Sequence, residues 1–372
     1  MRATLWILIP LMACMACQSK RQTSVKGEPV KLAYASNLSI RNAQGYTTVT
    51  IRNPWDTLKT LHSYVLVPKE EELPTPLPEG TLIRTPLQRA VVYSSVHCSL
   101  LKQIGALESI AGICDLQYIK LPEIQDRCAS GRITDVGNGM APNVEMIIDL
   151  NADAILLSPF ENSGGYGRVE KIGIPIIECA DYMEVSPLAR AEWMRFYGLL
   201  FGHSEEADSL FATVEKNYLE LKALVDTVAY RPSLISDTKS ASIWYVPGGK
   251  STLGMLYKDA GADYLWADDN HSGSLALAPE TVLDKGQSAD VWVIKYNQPT
   301  DKTLRELKAD YAPYARFKSF RDGQVYGCNT GIVPFYEDTP FRPDRLLKDY
   351  IKLFHPQLLD DYQLQYFKKI EE

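Results

Sequence analysis

Few residues in this chain have the types and spacing for covalent chemistry. Gly248-Gly249-Lys250-Ser251 has the ending of a phosphate-cradling loop, but that motif needs a further glycine where Trp244 stands, so the run reads as a turn opening a helix. Ser94-Ser95 followed by His97 imitates a hydroxyl nucleophile beside an imidazole base. No Gly-x-Ser-x-Gly elbow with a following acid and histidine accompanies it. His62, His203, His271 and His355 are scattered without ligand spacing, and no Cys-x-x-Cys or Cys/His pattern points to zinc. A loop histidine such as His97 then reads as a polar site residue or a structural hydrogen-bonder.

Binding chemistry has more support. Tyr93, Ser95 and His97, then Phe160 and Glu161, Tyr182, Tyr245 and Tyr296 fall at or just after apolar runs that read as strands. In open α/β sheets the ligand crevice lies outside the carboxyl ends of the strands, so these residues would line it. Trp266, Phe335, Tyr336 and Arg342 extend the set, and Arg342 would pair either with a ligand carboxylate or with a neighbouring acid. Such a cleft has broad aromatic faces and sparse hydrogen-bonding groups, which suits a large, flat or rigid ligand.

The elements that must position these residues come in two similar halves. Residues 18–30 read as a polar tether, 30–68 as hairpin strands, and KEEELPTPLPEG as a Pro-rich surface connection. Beyond it RAVVYSS, IAGIC, ADAILLSP and IPIIECA read as strands alternating with helices, which implies a parallel sheet covered on both faces. Ser186-Pro187 opens a helix terminated at Gly202. Residues 204–228 then carry apolar side chains at i, i+3, i+4 and i+7 behind Ser204 as cap, a single rod of about 37 Å. The alternation resumes with SIWYVPGG, ADYLW and ADVWVIKYN as strands. Glu145 in PNVEMIIDLNADAILL and Glu280 in PETVLDKGQSADVWVI occupy matching places, each opening a helix after a proline and leading to an Ala-Asp strand start.

The expected fold class is therefore α/β: two Rossmann-like lobes with parallel sheets joined by a single long α-helix, plus an N-terminal β-hairpin extension. The expected segments are 1–17 as lipoprotein signal and anchor, 18–83 as tether and hairpin extension, 84–185 as the N-terminal lobe, 186–229 as helical linker and 230–372 as the C-terminal lobe.

A chain of 372 residues exceeds what one core usually organises. Its 39 Lys and Arg against 46 Asp and Glu, a net charge of -7 without basic clusters, argue against a nucleic-acid partner. Met1-Arg2, an apolar run and then QSKRQTS have the order of an export signal. It ends in Ala13-Cys14 and Ala16-Cys17, which resembles a bacterial lipobox, with Cys17 or Cys14 as the lipidated residue. A lipid anchor implies attachment to a membrane, not insertion in it. In an oxidising compartment Cys114 and Cys128, bracketing a short loop, are a disulfide candidate.

The order of lipobox, SSVHCSLLKQIGALESIAGI, DVGNGMAPNVEMIIDLNADAILLSP, a long helix, GGKSTLGMLYKDAGADYL and PETVLDKGQSADVWVI resembles the periplasmic-type substrate-binding proteins of ABC importers for vitamin B12, ferric siderophores and haem. The resemblance runs from Arg84 to the C-terminus and implies a receptor, not an enzyme, with no cofactor of its own. It implies a metal chelate or corrinoid between the lobes, and an inner-membrane permease whose arginines pair with Glu145 and Glu280. It also implies a lipid-anchored protein of the bacterial envelope, on the periplasmic or outer face. The metal-ion-binding relatives use clustered His and acidic ligands, and this chain offers only His97 near the rim. A haem receptor, or an envelope enzyme using His97, stands as the alternative.

Overall fold

The computed structural model describes residues 27–161 and 165–372; Cys14, Cys17 and the tether up to residue 26 lie outside them. The first sheet is built from β1 (Glu28–Pro29), β2 (Leu38–Ala43), β3 (Tyr46–Arg52), β4 (Thr60–Pro68) and β5 (Thr81–Thr85), paired in that order. All pairs are antiparallel except β4 with β5. Ala43 faces Tyr46 across a two-residue turn in which Gly45 sits at φ +78°, the twist that suits a tight hairpin. Alternation sends Ile40, Val49, Ile51, Tyr64 and Leu66 into the main core, leaving Thr48, Thr50 and Ser63 on the opposite face. β5 runs through Arg84 and Thr85, so this sheet reaches past residue 83.

Next come β6 (Ala90–Val92), α1 (Ser95–Gln103), β7 (Ile110–Ile113), α2 (Pro122–Ala129), β8 (Thr134–Asp135), the small hairpin β9 (Gly137–Asn138) and β10 (Ala141–Pro142), α3 (Val144–Asp149), β11 (Ala154–Leu157) and β12 (Ile176–Glu178). They form an all-parallel sheet in the order β12-β11-β6-β7-β8. Its two faces carry separate cores: Ala90, Val92, Ala154 and Leu156 point one way, Val91, Ile155 and Leu157 the other.

Three helices follow, α4 (Pro187–Glu192), α5 (Met194–Phe201) and α6 (Ser204–Val225). The Ser186 hydroxyl accepts from the Ala189 N–H, and Gly202 ends α5 at φ +73°, as the sequence pattern predicts. The helix expected over the whole stretch up to Gly202 is instead split at Trp193. Ser204 is the first helical residue of α6, not its cap, and the helix stops at Val225 after 22 residues. It packs along α5 and also against a helix near the C-terminus.

The second half contains β13 (Ser233–Ser236), β14 (Lys239–Ser240), β15 (Ile243–Pro247), α7 (Thr252–Asp259), β16 (Asp263–Tyr264), β17 (Ser274–Leu277), α8 (Pro279–Gly286), β18 (Val291–Tyr296), α9 (Leu304–Asp310), α10 (Lys318–Arg321), β19 (Val325–Asn329), α11 (Phe335–Asp338), α12 (Pro343–Phe354) and β20 (Lys368–Lys369). Its sheet runs β16-β13-β18-β19-β20, parallel apart from β20. The architecture is thus two α/β domains with parallel sheets. One expectation is corrected: β15, the SIWYVP run, belongs to a separate antiparallel sheet β14-β15-β17, and the buried SLIS of β13 takes its place among the parallel strands. Gly248 and Gly249 form the expected turn before α7, which Ser251 caps. A Cβ at Gly248 would lie 2.3 Å from the His271 carbonyl and one at Gly249 2.2 Å from that of Ala267, so neighbouring backbone fills the space a phosphate would need.

What ties the extension to the first domain is a pair of buried carboxylates. Glu192 accepts the N–H groups of Ala33, Tyr34 and Ala35, each at 2.8 Å. Glu184 accepts from the Ser36 and Asn37 N–H groups, the Ser36 hydroxyl and the Trp193 indole. Glu192→Ala leaves three N–H groups without their charged acceptor, and should lower unfolding free energy by about 3 kcal/mol in urea titrations and expose 30–37 to limited proteolysis. Unchanged stability would mean that these bonds do not hold the extension.

Candidate functional site

The carboxyl ends of the parallel strands open on loops that carry large side chains. Behind β7 stands Tyr118 (65% exposed), behind β8 Met140 (82%), behind β11 Phe160 (49%), and behind β19 Ile332 (51%) and Tyr336 (54%). Tyr245, on β15, is 48% exposed. Water contact over so much apolar surface is unfavourable, and clusters of it mark binding surfaces. Phe160 and Tyr336 were legible in the sequence, whereas Tyr245, expected at a strand end, lies in the middle of β15, paired with Ala276 in the antiparallel sheet. Tyr118, Met140 and Ile332 were missed, and noting every loop that follows a parallel strand would have found them.

Local bonds shape the rim of the first domain. The Gly139 N–H donates to Asp115, and a Cβ at Gly139 would lie 3.7 Å from the Tyr93 ring, so the loops behind β6, β7 and β8 converge there. Tyr93 is half-buried, and its hydroxyl is shielded from water without a partner among the described residues. Burial pushes its pKa up, so it stays a neutral donor. The Tyr182 hydroxyl donates to the Pro159 carbonyl, joining the loops behind β11 and β12. Ser95 lies half-buried in the first turn of α1, and Glu161 is exposed.

In the second domain Tyr296 is half-buried, its hydroxyl accepting the Lys302 N–H. The two domains touch where α11 packs against α1 and the Lys120 N–H donates to Glu337.

Three expected site residues lie elsewhere. His97 is buried, its Nε2 2.9 Å from Asp181, whose carboxylate also accepts from the Tyr197 hydroxyl at 2.9 Å and Arg190 Nε at 3.0 Å. α1 starts at Ser95, and one turn of helix carries His97 inward, under Phe341. This closes the reading of His97 as an accessible catalytic base. Trp266 is buried beneath Lys285 and Tyr264. Arg342 is committed to Asp344 through a two-bond fork of 3.0 and 2.8 Å, and so pairs with a neighbouring acid. The disulfide is also corrected, since Cys114 and Cys128 are free thiols. Cys114 belongs to one core of the first domain's parallel sheet while Cys128, on α2, packs against the other.

Glu145 and Glu280 stand in the first turns of α3 and α8, both exposed. Glu145 pairs with Arg168 at 2.9 Å across solvent. Among the described residues no group of three His, Cys, Asp or Glu side chains could hold a metal ion.

Residues 90–330 match the family model described as periplasmic binding protein. The chain belongs to the periplasmic binding protein family. A lipoprotein of Methanocaldococcus jannaschii without assigned function is 27% identical over 300 residues, spanning 77% of this chain and 70% of that one. A periplasmic haem-binding protein of Pseudomonas aeruginosa superposes with a TM-score of 0.58 at 14% identity over 77% of this chain and 99% of its own. A TroA-like periplasmic binding protein of Veillonella parvula gives 0.58 at 18% identity over 78% and 96%. These likenesses establish the fold. As a periplasmic binding protein, the chain is a non-catalytic solute-binding receptor of the family that serves ABC importers.

The interior pair gives this periplasmic binding protein a characteristic pH profile. Burial disfavours the imidazolium, yet Cys179 and Asp181 outweigh it and push His97 up to about 10. Burial also opposes the charge of Asp181, but His97 and Arg190 hold it at about 2. His97 is raised above its ordinary 6.5, so its contribution is full below that value and fades as pH climbs towards about 10. Asp181 is depressed below 3.8, so its contribution is full above that value and fades as pH falls towards about 2. Urea unfolding should show stability falling between about pH 7 and 10, with His97→Gln flattening that fall. Asp181→Asn should cost about 3 kcal/mol at neutral pH. Parallel pH profiles for wild type and His97→Gln would contradict the assignment.

Proposed function

We propose that this receptor captures a metal chelate or corrinoid, of the ferric siderophore or cobalamin type, between its two domains and hands it to an inner-membrane permease. The observation that carries this reading is the set of exposed aromatic and apolar side chains behind the strand ends of both domains, Tyr118, Met140, Phe160, Ile332 and Tyr336, with Tyr245 exposed on β15. Such surface binds a rigid, partly apolar ligand by burial, while Tyr93, Ser95, Tyr182, Glu161 and Tyr296 supply a few oriented hydrogen bonds. The solved haem-binding neighbour makes haem the second cargo to test.

Glu145 and Glu280 are the proposed permease contacts, one on each domain, where they would steer and register a transient complex through complementary charge. Cys17 or Cys14 is the proposed lipid anchor holding the receptor at the envelope. α6 is the proposed single connection between the domains, a rod braced by α5 and α12. A rod with no strand crossovers predicts a closure of small amplitude.

Three outcomes follow. Titration of the soluble chain, started after the lipidated cysteine, against cobalamin, haem and several ferric siderophores should give saturable one-to-one binding of one class at sub-micromolar affinity. Tyr182→Ala and Tyr336→Ala should each weaken it by about tenfold or more, and wild-type affinity in both would displace the site from these rims. Glu145→Ala combined with Glu280→Ala should abolish uptake while leaving that affinity intact, so lost affinity would give these residues another role.

A further inference from the structure

The extension, which precedes the residues matched by the family model, carries a groove of its own. Its floor is the sheet face turned away from the core, with Tyr46, Thr48 and Thr50 of β3 and Ser63 of β4, and Asn42 and Gln44 beside them. Its wall is the Pro-rich loop that leads to β5, with Pro74, Pro76, Leu77 and Pro78 facing inward. That wall is fixed at both ends. Arg84 Nη2 donates to the Lys69 and Glu71 carbonyls, and Gly80, at φ +141°, passes so close to β4 that a Cβ would lie 2.8 Å from the Ser63 carbonyl. The open groove holds about 1530 Å³, more than a drug-sized ligand fills.

Thr48 is 8% exposed, and its hydroxyl is buried in the floor without a partner among the described residues. A buried hydroxyl left unpaired costs free energy that a ligand group would recover. Arg41, opposite Thr48 across the β2–β3 pair, likewise leaves Nε unpaired.

We infer that this groove binds a neutral oligosaccharide. Each sugar hydroxyl both donates and accepts, and the lining hydroxyls and carboxamides do both in return. Among the described residues that line the groove none is Lys or Arg, which a phosphate or carboxylate ligand would call for. Glu28 and Glu79 are the acids among the described lining residues, too sparse a pair to select a polycation. Tyr46 and the proline wall offer flat apolar surfaces for the C–H faces of pyranose rings. A peptide would extend an exposed strand edge through main-chain bonds, whereas this groove crosses the faces of β2, β3 and β4, the kind of sheet surface on which oligosaccharides bind elsewhere.

The test is isothermal titration of the full chain with cellohexaose, maltohexaose, xylohexaose, mannohexaose and chitohexaose, beside hexagalacturonate and an extended octapeptide. At least one neutral glycan should bind saturably and at least tenfold more tightly than the anionic one. Thr48→Val should weaken that glycan by about tenfold without lowering the melting temperature, because the hydroxyl it removes satisfies nothing in the free protein. Tyr46→Ala should weaken it as much, whereas Tyr182→Ala in the inter-domain rim should leave it unchanged. Failure of every neutral glycan, equal binding of hexagalacturonate or the peptide, or wild-type affinity in both Thr48→Val and Tyr46→Ala would overturn the assignment.

Discussion

Three carboxylates buried within residues 181–192 hold the first half of the molecule together. A buried carboxylate is tolerable only when donors replace the water it has lost, and each of these is surrounded by donors from distant parts of the chain. Asp181 gathers His97 of α1 with Arg190 and Tyr197 of the helical block. Glu184 and Glu192 take up consecutive N–H groups of 33–37, a stretch without regular structure whose donors would otherwise be orphaned. The C-terminal tail is secured in the same way: Asp349 on α12 accepts the N–H groups of Gln365 and Tyr366 and the Tyr362 hydroxyl. Both ends of the described chain are thus fastened by side-chain carboxylates, because neither end has enough strand pairing to hold itself.

This fastening determines what the site can do. With α1 fixed from beneath by the Asp181 cluster, the loops behind β6, β7 and β11 present their side chains from a rigid base, and α11 rests on that same helix from the second domain. On the proposed reading, affinity would come from a rim already in place, not from ordering loops upon binding. The large apolar side chains at the rim are exposed in the free protein, and they are the surface that the proposed ligand would cover.

Much of the architecture was legible in the sequence because parallel strands buried on both faces are continuous apolar runs, and because Pro142 and Pro279 mark the openings of two corresponding helices. Gly202 and Ser186 announced helix ends by local chemistry alone. Where reading failed, the deciding contacts were remote in sequence. SLIS of β13 is too short to outrank SIWYVP, and only the pairing of β15 with β17 shows that the longer run lies outside the parallel sheet. His97 has the sequence context of a rim residue, yet Asp181 and Tyr197, far along the chain, draw it inside. Arg342 is claimed by Asp344 only two residues away, a pairing that spacing permits but does not require. Cys114 and Cys128 are near in sequence but packed against opposite cores.

The central claim is that one ligand is gripped by strand-end loops of both domains. Amide hydrogen exchange on the free receptor and on the receptor saturated with a bound chelate tests it most directly. The account predicts slowed exchange on binding in 115–118, 139–140 and 158–161 of the first domain and in 330–337 of the second, with the extension unchanged. Protection confined to one domain, or appearing in the extension alone, would contradict it.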